Sequence, residues 1–249
     1  MAETGSFCWV ELATPNPAGA RNFYKALLGW TPQGQPDAKH MYTVLARGKE
    51  VAAGCFQLPE ELRKQGVPPH WLIYVSTKNA DEMARRAVEL GGKLVRTPFD
   101  VEDMGRMAVV QDPQGAVFGL WQAKSFGGFE ARGDNAFCWA DLVVPHPEQA
   151  SGFYGELFGW RLWQGERDSS GYWLINNGDK TIGGVPPAED AQAPPHWLAW
   201  WQVADCDAAV EDAEANGARA LLRPWTMERV GRLAVLQDPQ GAEFGLRRL

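Results

Sequence analysis

The sequence predicts an α+β fold built from four β-α-β-β-β units, two in each half of the chain, and three observations lead there. The first is an internal repeat. Residues 7–30, FCWVELATPNPAGARNFYKALLGW, recur as residues 137–160, FCWADLVVPHPEQASGFYGELFGW, with half of the aligned positions identical. Pro68-Pro69-His70-Trp71-Leu72 recurs as Pro194-Pro195-His196-Trp197-Leu198, and Gln111-Asp112-Pro113-Gln114-Gly115-Ala116 as Gln237-Asp238-Pro239-Gln240-Gly241-Ala242. Three blocks in the same order establish a duplication. The second observation is a switch of hydrophobic period, from strand-like alternation to helical spacing and back, twice in each half. The third is punctuation, because proline, glycine and Asn/Asp clusters fall between the periodic runs at matching places.

The elements follow in order. Phe7–Thr14 alternates and reads as a strand, as does Phe137–Val144. Pro15 and Pro17 then open a helix over Ala18–Leu28, which Gly29 stops. Short strands are expected at Tyr42–Ala46 and Val51–Phe56. The order then repeats, with a strand at Trp71–Ser76 and a helix over Ala80–Leu90 that ends at Gly91-Gly92. Further short strands are expected at Lys93–Arg96, Met107–Gln111 and Ala116–Trp121. The second half repeats this, with a helix at Ala208–Ala215 ended by Asn216-Gly217. Asp112-Pro113-Gln114-Gly115 and its copy at Asp238 read as turns between the last two strands of each half. This gives a first domain over residues 1–123, a linker over 124–134 containing Phe126-Gly127-Gly128, and a second domain over 135–249.

Composition narrows the function classes. The net charge of −7 comes without a basic stripe and argues against a nucleic-acid partner. No run of ~20 apolar residues could span a bilayer, so no membrane role is expected. The first residues, Met1-Ala2-Glu3-Thr4-Gly5, lack the basic and apolar blocks of a signal peptide, and a cytoplasmic setting is expected. Cys8, Cys55, Cys138 and Cys206 show no CxxC spacing and read as buried thiols. Gly-rich phosphate loops, nucleophile elbows and HExxH are all missing. Twelve tryptophans are the unusual feature.

An opening strand, a helix carrying Phe23-Tyr24 and closing on Leu28-Gly29-Trp30, and a late Asp-Pro-x-Gly turn at Asp112 together resemble the vicinal oxygen chelate superfamily. Its members include glyoxalase I, bleomycin-resistance proteins and extradiol dioxygenases. Phe153-Tyr154, Phe158-Gly159-Trp160 and the Asp238 turn repeat the pattern in the second half. The resemblance implies two glyoxalase-like domains whose curved sheets form ligand cups. It also implies a chain that mimics a dimer internally as a monomer, or that forms a homodimer.

The resemblance further implies four metal positions per cup, on strands one, four, five and eight. Here they fall on Trp9 and Trp139, near Gly54 and Gly184, at or beside Trp71 and Trp197, and on Gly119 and Gly245. Indoles and glycine hydrogens offer a divalent ion no donor. No metal or other cofactor is therefore expected. His70 and His196 adjoin the fifth-strand position and are the alternative donors, while His40 and His146 read as loop residues.

Strand alternation turns Glu11 to the same face as Trp9, and Asp141 to the same face as Trp139. Cys8 and Cys138 then face the helices. Acids within apolar strands need partners, and Arg106 and Arg232 are the expected ones. Trp9, Trp71, Trp139 and Trp197 are expected to line the cups, whereas Trp30 and Trp160 anchor the core. The expected ligand contacts are thus Trp9, Glu11, Trp71, Arg106, Trp139, Asp141, Trp197 and Arg232, with Glu11 and Asp141 the candidates for catalysis. The first functional reading is a metal-free protein that binds an aromatic or apolar small molecule. The alternatives are a lyase, isomerase or dioxygenase with an atypical metal or acid–base chemistry, and an interaction protein with filled cups.

Overall fold

The fold is taken from a computed structural model, which describes residues 2–34, 42–165, 170–187, 194–228 and 230–249. His40 lies outside them. The first half contains β1 (Phe7–Thr14), α1 (Pro17–Leu28), β2 (Thr31–Gln33), β3 (Tyr42–Arg47), β4 (Glu50–Gln57) and a short α2 (Glu60–Lys64). It continues with β5 (His70–Ser76), α3 (Ala80–Glu89), β6 (Lys93–Val101), β7 (Gly105–Gln111) and β8 (Val117–Ala123). The second half contains β9 (Phe137–Val143), α4 (Pro147–Phe158), β10 (Arg161–Trp163), β11 (Trp173–Asn177) and β12 (Lys180–Val185). It ends with β13 (His196–Gln202), α5 (Cys206–Ala215), β14 (Arg219–Met227), β15 (Gly231–Gln237) and β16 (Glu243–Arg248). The four expected units are all present. The three-residue strands β2 and β10 and the short helix α2 were not read from the sequence, being too brief to establish a period.

The helix boundaries have local causes. Asn16 accepts from the Gly19 amide and Pro17 opens α1; Gly29 closes it in the left-handed region at φ 68°. Asn79 caps α3 through the Glu82 amide, and Asp205 caps α5 through Asp207 and Ala208. His146 occupies the matching position before α4 without a side-chain cap.

Each half supplies one open eight-stranded sheet. The orders are β2-β3-β4-β1-β5-β8-β7-β6 and β10-β11-β12-β9-β13-β16-β15-β14. Within each module the first strand runs parallel to the fourth, as in β1 with β4 and β5 with β8, and the remaining partners are antiparallel. The packing does not follow the repeat. One compact unit gathers Met1–Trp9, Ile73–Gly128 and Ala140–Leu198, and the other gathers Val10–Leu72, Phe129–Trp139 and Ala199–Leu249. Each unit therefore takes one β-α-β-β-β module from each half. Helices α3 and α4 meet in the first unit, and α1 and α5 in the second.

Aromatic side chains dominate both cores. In the second unit Tyr24, Trp30, Trp71, Trp201 and Phe244 are buried together, with Trp71 and Trp201 edge to face at 4.8 Å. The first unit repeats this with Tyr154, Trp160, Trp197, Phe7 and Phe118. Edge-to-face pairs at such spacings add to the area term of burial. No helix among the described residues is long and apolar enough to cross a membrane.

Candidate functional site

Strand β1 is buried along its whole length, so its alternation sorts side chains between two internal faces. Leu12 pairs in register with Cys55 of β4, and Thr43 of β3 accepts a hydrogen bond from Arg21 of α1, which marks the helix-packed face. Glu11, Gly54 and Tyr42 point the other way. Glu11 lies directly beside Gly54 in the parallel register, and the Tyr42 hydroxyl donates to Glu11 Oε2 at 3.0 Å. A Cβ on Gly54 would run into that hydroxyl, so glycine is what admits the phenol. Only 8 % of Glu11 is exposed, and a buried carboxylate requires such donors.

The second half repeats the arrangement. Asp141 pairs with Gly184, and Tyr172 donates to Asp141 Oδ1 across the space left by Gly184. Sequence reasoning picked out both acids but missed both phenols. A signal was available: Tyr42 and Tyr172, like Gly54 and Gly184, are separated by the same 130 residues as the first repeated block.

The last-strand glycines are filled in the same manner. A Cβ on Gly119 would enter the Tyr74 ring, and one on Gly245 the Trp200 ring. The strand-four and strand-eight positions at which the resemblance implies metal donors are thus glycines, crowded by the Tyr42 and Tyr172 hydroxyls and by the Tyr74 and Trp200 rings. Among the described residues no group of three or more His, Cys, Asp or Glu could hold a metal ion. A zinc-type site requires about four N, O or S donors at ~2.0–2.3 Å, and these positions do not fit one. His70 and His196 each turn Nδ1 onto the carbonyl two residues back, Pro68 and Pro194, at 2.8 and 2.9 Å. Burial holds the His70 imidazole below its usual pKa.

Several expected contacts need correction. Trp71 and Trp197 do not line the face carrying Tyr74 and Gly119 or its copy. They point into the helix-packed cores, where their indole N–H groups donate to Tyr24 and Tyr154 at 3.0 and 3.1 Å. The period of two decides this, because Tyr74 fills the Gly119 side and its strand neighbours at odd positions must face away. Arg106 does not pair with Glu11, nor Arg232 with Asp141. Arg106 grips Asp81 through Nε and Nη2 at 2.6 and 2.8 Å, and Arg232 grips Asp207 at 2.8 and 2.7 Å. Both acids sit in the first turn of a helix, where the macrodipole favours an anion, and each arginine holds its partner's carboxyl below the usual range.

Trp9 and Trp139 differ from each other. Trp9 is buried, with Phe126 edge-on at 4.9 Å, whereas Trp139 is half-buried under the Arg247 guanidinium at 5.3 Å. Cys8 is buried and Cys138 half-buried, and each thiol donates to a strand carbonyl.

The turn aspartates do more than turn the chain. Asp238 Oδ1 accepts from the amides of Gln240, Gly241 and Ala242, as expected of the motif. Its Oδ2 accepts from the Tyr24 hydroxyl at 3.1 Å. Asp112 does the same with its own turn and with Tyr154 at 3.0 Å. Burial lifts both carboxyls above their usual pKa, and the four donors offset part of that rise.

Comparison with known proteins agrees with this architecture. A model of the Glyoxalase-like domain matches residues 9–121 and again 138–247. The "Putative glyoxylase CFP32" of Mycobacterium tuberculosis (strain CDC 1551 / Oshkosh) is 31 % identical over 242 residues, covering 96 % of this chain and 92 % of the relative. The "Anthracycline biosynthesis protein DauV" of Streptomyces sp. (strain C5) is 33 % identical over 259 residues, covering 97 % and 92 %. Among solved structures, the Mn(II)-bound glyoxalase from Novosphingobium aromaticivorans superposes with a TM-score of 0.68 at 12 % identity, covering 100 % of this chain and 83 % of that one. The 2,3-dioxygenase LapB from Pseudomonas sp. KL28 gives 0.67 at 13 %, covering 100 % and 94 %. Two copies of one β-α-β-β-β pair, matched end to end by one family model, place this chain in the glyoxalase-like domain family of the vicinal oxygen chelate superfamily.

Proposed function

We propose that the protein binds a planar, largely apolar small molecule without a metal, using Glu11–Tyr42 and Asp141–Tyr172 as polar anchors. The observation that carries this reading is the repeated acid–phenol pair on the helix-free sheet face, set where glycine clears space for it. Fixed polar groups of this kind set a ligand's orientation in the usual small-molecule site. The name of the Streptomyces relatives supports a fused aromatic ring system as the ligand class for this chain. The name of the mycobacterial relatives favours a second reading, a lyase- or isomerase-type proton transfer in which Glu11 or Asp141 acts as the base.

Titration with the dihydroxyanthraquinone alizarin, followed by tryptophan fluorescence, tests the binding reading. Saturable quenching is expected, and the combined Glu11→Gln and Asp141→Asn variant should bind about 10-fold more weakly, the equivalent of one charge-assisted hydrogen bond. Decanol, which is flexible and non-aromatic, should compete poorly. Absence of quenching by any planar ring in a fully folded sample would leave the interaction-protein alternative standing.

A further inference from the structure

The contacts of Tyr24 and Tyr154 join parts of the chain that the repeat keeps far apart in sequence. Tyr24 lies on α1 of the first half, and its acceptor Asp238 lies on the last turn of the second. Tyr154 lies on α4 of the second half, and its acceptor Asp112 on the last turn of the first. Each hydroxyl also accepts an indole N–H, from Trp71 and Trp197 respectively. The two three-member chains, Trp71–Tyr24–Asp238 and Trp197–Tyr154–Asp112, are copies of each other, and each lies wholly within one compact unit. The turn also reaches the start of the helix: Gln114 bonds both the amide and the carbonyl of His146, at 3.0 and 2.9 Å.

Behind the first anchor pair the connection is short. The helix bearing Tyr24 also bears Arg21, whose guanidinium donates to Thr43, the residue after Tyr42. Cys55, the residue after Gly54, is in electrostatic reach of both Arg21 and Asp238, and burial pushes its thiol up to about 12. Fixing α1 against Asp238 therefore fixes the backs of β3 and β4, and so the places of Tyr42 and Gly54.

We infer that the Glu11–Tyr42 pair is positioned from behind by the Asp-Pro turn of the opposite half. Asp238 positions that pair through Tyr24 and α1, Asp112 holds α4 through Tyr154, and the protein opens as two crosswise units in place of two tandem repeats. Calling the pairs ligand anchors rests on the function proposed above. The crosswise opening does not, and the experiment that follows uses no ligand.

Hydrogen exchange read by mass spectrometry on the full-length Asp238→Asn protein provides the test. Amides of α1, β3 and β4 and of α5 through β16 should exchange about 10- to 30-fold faster than in the unmodified protein, the consequence of one orphaned buried hydroxyl. Amides of α3, β6 and β7 and of α4 through β12 should stay within about twofold, since sites without shared partners act nearly independently. Asp112→Asn should give the mirror image. Acceleration that covers residues 7–123 or 137–248 as blocks, or that spreads evenly, overturns the inference. Should Asp238→Asn fail to fold, exchange of the unmodified protein in sub-denaturing urea decides. Segments of 10–72 and 199–249 should then share one opening, and a common opening over 7–123 overturns it. A failed alizarin titration leaves this result untouched, and a failed exchange result leaves the binding reading standing.

Discussion

Asp238→Ala is expected to lower stability by ~3–5 kcal/mol, because it removes the acceptor for three backbone amides and a fully buried phenol at once. For a chain of this size that corresponds to a melting point lower by roughly 6–20 °C. Asp238→Asn should cost less, ~1–3 kcal/mol. The amide oxygen still serves the turn, but the Tyr24 hydroxyl already accepts from Trp71 and loses the only carboxylate it donates to. Asp112→Ala should match Asp238→Ala through Tyr154. Calorimetry of the four proteins checks the ranking. Alanine variants that melt within 2 °C of the unmodified protein would show that the turn amides find water and the phenols find other acceptors.

The second large effect concerns the glycines that make room for rings. Gly245→Ala places a methyl group inside the Trp200 indole, and Gly119→Ala one inside the Tyr74 phenol. Both rings are buried and cannot swing into solvent. Overpacking of this kind costs ~1–3 kcal/mol and should reduce the melting temperature accordingly. Gly152→Ala is the internal control. That glycine lies within α4 with open space around its Cα, so alanine should be neutral or add up to ~1 kcal/mol of helix propensity. Equal melting points for Gly245→Ala and Gly152→Ala would mean that the indole does not fill the strand-eight position.

The architecture was largely legible in the sequence because its determinants are local. Alternation in Phe7–Thr14, the Asn16-Pro17 start and Gly29 stop of α1, and three repeated blocks fix the units without reference to anything distant. Short elements escaped, since three residues at Thr31–Gln33 carry no period. The candidate site was legible only in part. Alternation set Glu11 and Asp141 on the same strand faces as Trp9 and Trp139, but their glycine neighbours and phenol partners come from other strands, and pairing register cannot be read from one strand alone. Arg106 and Arg232 were assigned to the wrong acids for the same reason. Their partners Asp81 and Asp207 look like ordinary helix-start residues, and nothing local shows that a strand arginine reaches them. Trp71 was misplaced by one residue of alignment, which in a strand means the opposite face.

The crosswise role of Tyr24 and Asp238 was hidden differently. Each residue has a sufficient local explanation, core packing for the tyrosine and turn formation for the aspartate. Only their 3.1 Å contact shows that two familiar motifs of the fold are halves of a single buried interaction.

The proposed metal-free binding rests on glycines, phenols and rings occupying the strand positions at which the resemblance implies metal donors. Elemental analysis measures this most directly, on protein equilibrated with Mn²⁺, Fe²⁺, Ni²⁺ and Zn²⁺ in turn and then gel-filtered. Far less than one ion per chain is expected, with no change in the Glu11→Gln and Asp141→Asn variants. One or more equivalents retained by the unmodified protein and lost from either variant would contradict it.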